Sequence, residues 1–385
     1  MSSKKFRKLC RNIEDICTEV VANSAPDVDI KARFPHETFE TLKAEKLLSA
    51  YVPEEFGGHG LSVSEVGELC EILGRYCGSS GMIYAMHNIM AACIVNHHAD
   101  DDYFLEYIGR IADEQILLAS AHSEIGTGGD LARSKCAMET SPQGLKLVKQ
   151  TPCISYGEYA DAILLTARKD PDASERDQVQ VIYNRGDFQI EKVSTWDSMG
   201  MRGTCSPGFI FNGTCSHDQV FPVPFSDITK KTMSPVTHIL WGYMWAGIAK
   251  STFQNASQVA QSERKKDPTG HHPSAMRLAE VQSRLFSLKN DVELLARDYE
   301  QMYALNDISV FDDLDFAIRV NNVKINSSRQ AVDVALGALQ ICGIAGYKND
   351  SPVSLARQVR DLLSSTIMIN NDRIVENNAR LLISS

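Results

Sequence analysis

The sequence lacks several features that mark common protein classes. Its ten cysteines include no Cys-x-x-Cys pair and no Cys/His spacing typical of a metal site, so we expect neither a zinc module nor a disulfide scaffold. Basic residues number 39 against 49 acidic ones, and this net charge of -10 argues against a nucleic-acid-binding protein. The chain also has no Rossmann glycine fingerprint and no Walker-type phosphate loop.

The sequence also shows no apolar segment typical of a signal peptide or a membrane-spanning helix. Arg11, Glu14 and Asp15 interrupt the stretch that would be apolar in a signal peptide, and no apolar run elsewhere reaches membrane-spanning length. We therefore expect a cytoplasmic protein with reduced thiols, no membrane partner and no nucleic-acid partner. The 385 residues are enough for one large core or two to three smaller ones.

Hydrophobic periodicity divides the chain into three parts. Apolar residues recur at helical intervals from Lys5 to Val21 and again after Pro35, and the segments 61–75 and 82–95 predict two more buried helices. From about 116 to 225, short apolar runs between Gly, Pro, Asn, Asp and Ser clusters predict an antiparallel β-domain. Helical periodicity then returns, with helices predicted over 278–302, 314–339 and 360–382. This order argues against a doubly wound parallel sheet.

Six segments along the chain carry a more specific pattern. They are 51–60 (YVPEEFGGHG), 123–130 (SEIGTGGD), 154–157 (ISYG) with Ala160-Asp161, 199–206 (MGMRGTCS), 263–265 (ERK), and 340–347 (QICGIAGY) leading to Arg360-Asp361. In this order they resemble motifs of the acyl-CoA dehydrogenase family over nearly the whole chain. Each segment alone is a weak signal, but six in register make chance an improbable explanation.

The resemblance implies an α+β multidomain fold. It divides the chain into an N-terminal α-helical domain (residues 1–117), a central antiparallel β-barrel-like domain (118–230) and a C-terminal four-helix bundle (231–385). It also implies FAD held between the β-domain and the bundle, an acyl-CoA or acyl-carrier-protein substrate, and a homodimer or homotetramer. The spacing of the cysteines and histidines predicts no metal site.

The resemblance also implies a cofactor site, residue by residue. Ser123 and Ser155 would place donors against the flavin pyrimidine edge and N5, and Arg264 would meet the pyrophosphate. On the residues alone, two turn serines and a solvated arginine would explain these positions as well. The residues expected near the cofactor are His122, Ser123, Gly128, Cys153, Ser155, Arg264, Gln340, Gly343 and Asn371, of which Gln340 and Gly343 would face a flavin bound mainly by a neighbouring subunit.

The family's general base is the main departure. The usual glutamate position aligns with Ile369, and the alternative position near the start of the first C-terminal helix aligns with Thr237. No Asp or Glu occurs between Asp227 and Glu263, so a small alignment shift does not supply a carboxylate there. The standard base of the family is therefore absent from both places.

Three residues remain as candidate bases. His238 has a suitable intrinsic pKa, although a histidine at a helix start is more often a cap or a polar surface residue. Asp372 and Glu376 follow Ile369 by three and seven residues, roughly on the same helical face if this segment is one helix, although solvated side chains would also fit.

Three functions are consistent with these residues. The first is an FAD-dependent dehydrogenase or oxidase of an acyl thioester, including α-substituted acyl units, with a non-standard or absent base. The second is a flavin-dependent monooxygenase of the same fold, and the third is a non-catalytic family member. An acidic carrier protein would have to meet a local basic patch such as 265–266 or 357–360, because the chain as a whole is negative.

Overall fold

The computed structural model describes residues 4–384 and places strands between two groups of helices. The first group is α1 (Lys4–Ile16), α2 (Ala22–Lys31), α3 (His36–Ala44), α4 (Val63–Tyr76), α5 (Gly78–Asn96) and α6 (Asp102–Glu114). The strands are β1 (Leu118–Ala121), β2 (Glu139–Ser141), β3 (Gly144–Thr151), β4 (Ala162–Arg168), β5 (Gln178–Asn184), β6 (Phe188–Lys192) and β7 (Phe209–Cys215). The last group is α7 (Phe225–Ile228), α8 (Ser234–Lys266), α9 (Pro273–Ala304), α10 (Leu314–Tyr347), α11 (Ala356–Leu363) and α12 (Asn371–Ser384). The predicted order is confirmed.

Local signals explain several helix boundaries in the N-terminal part. A π-helical turn, Cys17–Val21, joins α1 to α2, so the predicted first helix continues further than its periodicity indicated. Helix α4 begins with a capping box, in which Ser62 Oγ accepts from the Glu65 N–H and the Glu65 carboxylate accepts from the Ser62 N–H. Helix α6 was not predicted from the sequence; it begins at an Asp101 side chain that accepts two backbone N–H groups.

The strands form two sheets. One has the order β1-β4-β5 and the other has the order β2-β3-β7-β6. Every strand pair is antiparallel except β1 with β4, which is parallel. The exception arises because the chain leaves β1, builds β2 and β3 in the second sheet, and only then returns beside β1, which is the long crossover that parallel pairing requires. The antiparallel prediction therefore holds for all pairs but this one.

Three long helices, α8, α9 and α10, pack on one another in the C-terminal part, and α4 and α5 pack against α8. The predicted apolar stripe of α9 is confirmed, since Val281, Leu288, Val292, Leu295 and Tyr299 are buried. Among the described residues, α10 is the one helix long and apolar enough to cross a membrane by length and composition, a segment that the sequence reasoning did not predict. Its packing against α8 and α9 is that of a core helix in a bundle.

The helix predicted over 360–382 is wrong, because the segment is two helices with a loop between them. Helix α11 ends at Leu363, a 3₁₀ helix and a hydrogen-bonded turn follow, and Ile369 has a left-handed φ of 47° before α12 begins. Short polar side chains compete with the helix here. Ser364 Oγ donates to the Asp361 carbonyl at 2.6 Å, and Asn370 Oδ1 accepts from the Asp372 N–H at 2.8 Å.

This break separates Ile369 from the helix that carries Asp372 and Glu376. The three residues therefore do not share a helical face, and the spacing that made the two carboxylates candidates for a base is misleading. We call residues 364–370 the α11–α12 loop.

Candidate active site

The described residues enclose a cavity of about 970 Å³ between the strand-rich part and the C-terminal helices. It is lined by α5, the loops after β1 and β3, the start of α8, part of α10, the α11–α12 loop and α12. Ile89, Met90, Met233, Thr237, His238 and Trp241 in this lining are buried, whereas Arg133, Arg176, Arg373, Glu376 and Arg380 are exposed. The cavity thus has a buried part and an exposed mouth.

Two serine hydroxyls line the cavity from the strand-rich side. Ser155 Oγ accepts a hydrogen bond from Ser206 Oγ at 2.9 Å, so its own proton remains available for a ligand. Ser123 Oγ lies 3.5 Å from the Cys153 carbonyl, at the limit of a hydrogen bond. Ser123, Cys153 and Ser155, all predicted to be near a cofactor, therefore lie together in this cavity.

His122 also lines the cavity on this side. Its Nε2 lies 3.1 Å from Nε2 of Gln180, and its ring stacks on Phe225 with centroids 5.6 Å apart. Burial, and secondarily the charge of Lys149, lower the pKa of His122 to about 3. The ring is therefore neutral at pH 7 and contributes a polar but uncharged side chain to the cavity lining.

His238 lies in the first turns of α8, on the opposite side, and is 4% exposed. Its Nδ1 is 3.1 Å from the Val320 carbonyl of α10, an acceptor, so Nδ1 carries the proton and Nε2 keeps a lone pair. Burial lowers the pKa of His238 to about 4, although the bond to Val320 opposes this and the charge of Lys324 adds to it. The structure therefore places a neutral, oriented imidazole in the cavity, rather than a surface cap.

Trp241 follows His238 by one helical turn and lines the same cavity. Its indole Nε1–H is buried and has no hydrogen-bond partner within residues 4–384. A buried donor without a partner is costly, so this atom favours a ligand with an acceptor at this place. Sequence reasoning missed Trp241 as a functional residue.

The predicted carboxylates do not reach the buried part of the cavity. Glu376 lines the mouth, where its carboxylate pairs with Arg380 and its side chain is 64% exposed. Asp372 is exposed on α12 and does not line the cavity. The other carboxylate in the lining, Asp130, is half-buried and accepts from the Ala132 N–H.

Four arginines line the mouth, which sequence reasoning missed: Arg133, Arg176, Arg373 and Arg380. Arg133 pairs with Glu175 and Arg380 with Glu376, whereas the side chains of Arg176 and Arg373 have no hydrogen bond or ion pair among the described residues. The guanidinium of Arg373 lies over Gly129, where an added Cβ would come within 2.2 Å of Nη1. The arginine tip can move, but Gly129 has a φ of 79°, a conformation that favours glycine. The mouth offers two unpaired guanidinium groups, those of Arg176 and Arg373.

The other residues predicted for the cofactor lie outside this lining. Gly128, Arg264, Gln340 and Gly343 are exposed, and both glycines have positive φ with open space where a Cβ would be. Asn371 is buried, and its amide is engaged by Lys324 and Ser328. The roles of these five residues remain predictions.

The Arg360-Asp361 pair, which the resemblance linked to the flavin motifs, ties distant segments of the chain together. Arg360 donates to Asp29 of α2 at 3.0 Å and to the Met199 carbonyl at 2.7 Å. Asp361 accepts from the Met201 N–H at 2.6 Å, and burial raises the pKa of this carboxyl to about 6. These groups are engaged within the protein, and neither lines the cavity.

No metal centre is found within residues 4–384, where no group of three or more His, Cys, Asp or Glu side chains is placed to hold an ion. All ten cysteines are free thiols.

Comparison with known proteins gives consistent matches along the chain. Residues 3–115 match the acyl-CoA dehydrogenase N-terminal domain, and residues 235–371 match the acyl-CoA dehydrogenase C-terminal domain. Cyclohex-1-ene-1-carbonyl-CoA dehydrogenase of Geobacter metallireducens is 24% identical over 369 residues, which cover 94% of this chain and 93% of the relative.

Solved structures of two kinds of enzyme share the fold. Butyryl-CoA dehydrogenase of Megasphaera elsdenii aligns with a TM-score of 0.85 at 18% identity, over 100% of this chain and 99% of the other. Dibenzothiophene monooxygenase of Paenibacillus sp. A11-2 aligns with a TM-score of 0.81 at 17% identity, over 97% of each chain. At these identities the structures establish the fold alone.

Proposed function

This chain belongs to the acyl-CoA dehydrogenase family of FAD-dependent oxidoreductases, and on that premise we propose that it oxidises an acyl thioester. The acyl group would be carried on coenzyme A or on an acyl carrier protein. One observation carries the proposal: the cavity joins a buried part with a neutral histidine to a mouth lined by arginines. The buried part suits an uncharged acyl chain, and the mouth suits a phosphate-bearing carrier.

The residues of the cavity fit a flavin. Ser123 and Ser155 present hydroxyl donors on one wall, and Trp241 presents a buried N–H without a partner on the other. Such donors stabilise the negative charge that a flavin ring gains on reduction. When bound, FAD would supply the acceptor for a hydride, with its electron pair, from the β-carbon of the acyl group.

His238 is the group that we propose to receive the α-proton. The Cα–H bond breaks, its electron pair forms the new carbon–carbon double bond as the hydride leaves Cβ, and the proton passes to Nε2. Nδ1 is already fixed on the Val320 carbonyl at 3.1 Å, so the imidazole is oriented and its lone pair is on Nε2. A pKa lowered to about 4 keeps this nitrogen unprotonated at pH 7.

The arginines at the mouth support a phosphate-bearing substrate. Guanidinium groups match phosphate oxygens, and Arg176 and Arg373 have no partner within the described chain. They would also attract an anionic carrier to this place on a protein of net charge -10. The patch suggested earlier at 357–360 is less suitable, because Arg357 bonds to the Tyr76 carbonyl and Arg360 pairs with Asp29.

The test is an anaerobic titration of the FAD-loaded protein with thioesters. The decrease in flavin absorbance measures flavin reduction at each thioester concentration. We expect acyl-coenzyme A to bleach the flavin at a concentration at least tenfold lower than the matching N-acetylcysteamine thioester, which has no phosphate. The double variant Arg176→Gln/Arg373→Gln should lose this difference. A matched control, Arg7→Gln/Arg11→Gln on α1, should keep it. Equal responses to both thioesters in the wild type would contradict a phosphate-recognising mouth.

A monooxygenase is the second candidate, because no carboxylate lines the buried part of the cavity among the described residues. Dibenzothiophene monooxygenase has the same fold. In that case thioesters would leave the flavin oxidised, and reduction by an external reductase followed by oxygen would give an oxygenated product. If the protein binds no flavin at all, both candidates fail and the non-catalytic alternative remains.

We also propose a homodimer or homotetramer in the cytoplasm. Gln340 and Gly343 are exposed on the bundle, as expected if they face a flavin of a neighbouring subunit. The ten free thiols favour a reducing compartment. Light scattering of the purified protein tests the first proposal, and cell fractionation tests the second.

A further inference from the structure

Lys324, on α10, is a buried cation that the proposed chemistry does not use. It is 0% exposed, and its Nζ has three acceptors: the Ile369 carbonyl at 2.6 Å, Asn371 Oδ1 at 2.7 Å and the Ser365 carbonyl at 3.1 Å. An ammonium group has three N–H donors, so this arrangement satisfies all of them.

These acceptors lie within and at the end of one short segment, the α11–α12 loop. That loop contributes Ile367, Met368, Ile369 and Asn370 to the wall of the cavity. Ile369 is β-branched and has a φ of 47°, a left-handed conformation that such residues rarely adopt. Its carbonyl takes the shortest of the three bonds, so Lys324 holds the strained peptide in place.

The ammonium group of Lys324 is stabilised mainly by its hydrogen bonds to this loop. None of the ion pairs among the described residues includes it, and its other close partner is the Trp245 ring, whose centroid is 5.9 Å from Nζ. The titratable group facing it is His238 of α8, whose pKa is lowered partly by the Lys324 charge. Burial lowers the pKa of Lys324 itself to about 7.

We infer that Lys324 is a positioning residue, which ties Ser365, Ile369 and Asn371 together and so holds the α11–α12 loop in the shape that closes the acyl cavity. The identity of the ligand rests on the proposed function, whereas the tie to the loop does not. Lys324 does not line the cavity, and it acts through the loop and through its charge near His238.

The first test measures the loop without any substrate, in the FAD-loaded protein. In Lys324→Met, hydrogen exchange of the amides in 364–371 should become at least tenfold faster, while exchange in β3 and β4 stays the same. Lys149→Met, which removes the buried lysine of the strand-rich side, should give the reverse pattern. Lys348→Met, at the exposed end of α10, should change neither. Unchanged protection of 364–371 in Lys324→Met would overturn the inference.

The second test measures the ligand. Lys324→Met should raise the concentration of acyl-coenzyme A needed for half-maximal flavin bleaching at least fivefold, with FAD content preserved. The acid limb of the pH profile should also move to higher pH, because the positive charge near His238 is gone. A general loss of folding would instead lower FAD content, and Lys324→Gln, which keeps two donors, then replaces the methionine variant and should give an intermediate exchange rate.

The two tests separate the two proposals. Faster exchange without any bleaching by thioesters in the wild type would contradict the proposed function and support the role of Lys324. Bleaching by thioesters with unchanged exchange in Lys324→Met and Lys324→Gln would support the function and overturn the role of Lys324.

Discussion

Two buried lysines, Lys149 and Lys324, lie on opposite sides of the cavity, and their ammonium groups donate to different kinds of structure. Lys149 of β3 donates to the Thr166 carbonyl at 2.7 Å, to Thr166 Oγ1 at 3.2 Å and to the His122 carbonyl at 3.4 Å. Lys324 of α10 donates to the α11–α12 loop and Asn371. The first is anchored mainly to a strand, the second to a loop with a strained residue.

The charges around the two lysines differ as well. Burial lowers the pKa of Lys149, but Cys136 and Glu124 oppose the shift. No acidic group opposes it for Lys324, whose pKa falls to about 7. The charge of Lys149 is therefore partly balanced on the strand-rich side. The helical side carries the two positions that lack the family's glutamate, Thr237 and Ile369, together with the buried His238 and Lys324.

The largest effect should follow from changing the imidazole of the helical wall. We expect His238→Gln to lower the rate constant for flavin reduction by an acyl thioester about 10²–10⁴-fold, because glutamine keeps a hydrogen bond but accepts no proton. Anaerobic stopped-flow absorbance measures this. The control is His217→Gln, an exposed histidine of the strand-rich part. If His238→Gln leaves the rate constant unchanged, another group must accept the α-proton.

Stability as a function of pH should distinguish the two lysines next. Between pH 7 and about 10 the unfolded chain binds a proton at Lys324 that the folded chain has released, so the free energy of unfolding rises with pH. Relative to Lys324→Met, the wild type should gain up to about 1.4 kcal/mol per pH unit from pH 7 to 9. The gain relative to Lys149→Met should be smaller, because Cys136 and Glu124 both favour the charged form of Lys149. Chemical unfolding at both pH values provides the measurement, and equal slopes would remove the distinction.

A smaller effect is expected from the strained residue of the loop. Asparagine tolerates the left-handed region better than isoleucine, so Ile369→Asn should raise the free energy of unfolding by about 0.5–1 kcal/mol. Ile367→Asn is the matched control, because Ile367 is exposed and has an ordinary φ of -104°. Thermal unfolding of both variants tests this, and a loss of stability in Ile369→Asn would show that the backbone strain at this position is negligible.

The smallest effects should come from the carboxylates of α12. Glu376→Gln and Asp372→Asn should each change the rate constant of flavin reduction less than twofold, because Glu376 pairs with Arg380 in solvent and Asp372 lies outside the cavity. Their free energies of unfolding should change by less than about 0.5 kcal/mol. A tenfold fall in rate for Glu376→Gln would make this residue, and not His238, the better candidate for the base.

Sequence reasoning reached the fold because its evidence is local and repeated. The apolar stripe of α9 and the short apolar runs of β4 and β5 each predict burial from neighbouring residues alone. The family motifs add the order of the segments along the chain. It missed α6, whose capping residue Asp101 lies in a run of acidic residues. It also joined α11 to α12, because apolar periodicity continues where Ser364 and Asn370 break the helix.

The site was less accessible to such reasoning, because its parts come together only in three dimensions. Ser123, Cys153, Ser155 and His238 were named from motifs and do line one cavity. Trp241 and Lys324 resemble ordinary core and surface residues in the sequence. Trp241 is identified only by its buried N–H without a partner, and Lys324 only by the three acceptors around its Nζ.

The central claim, that the helical wall removes an α-proton through His238, can be tested directly by isotope exchange. The FAD-loaded protein is incubated anaerobically with an acyl thioester in D₂O, and the recovered thioester is analysed by mass spectrometry. The wild type and His217→Gln should incorporate deuterium at the α-carbon, whereas His238→Gln should not. Recovery of thioester without deuterium from the wild type, with flavin reduced only by an external reductase, would contradict the claim and favour the monooxygenase.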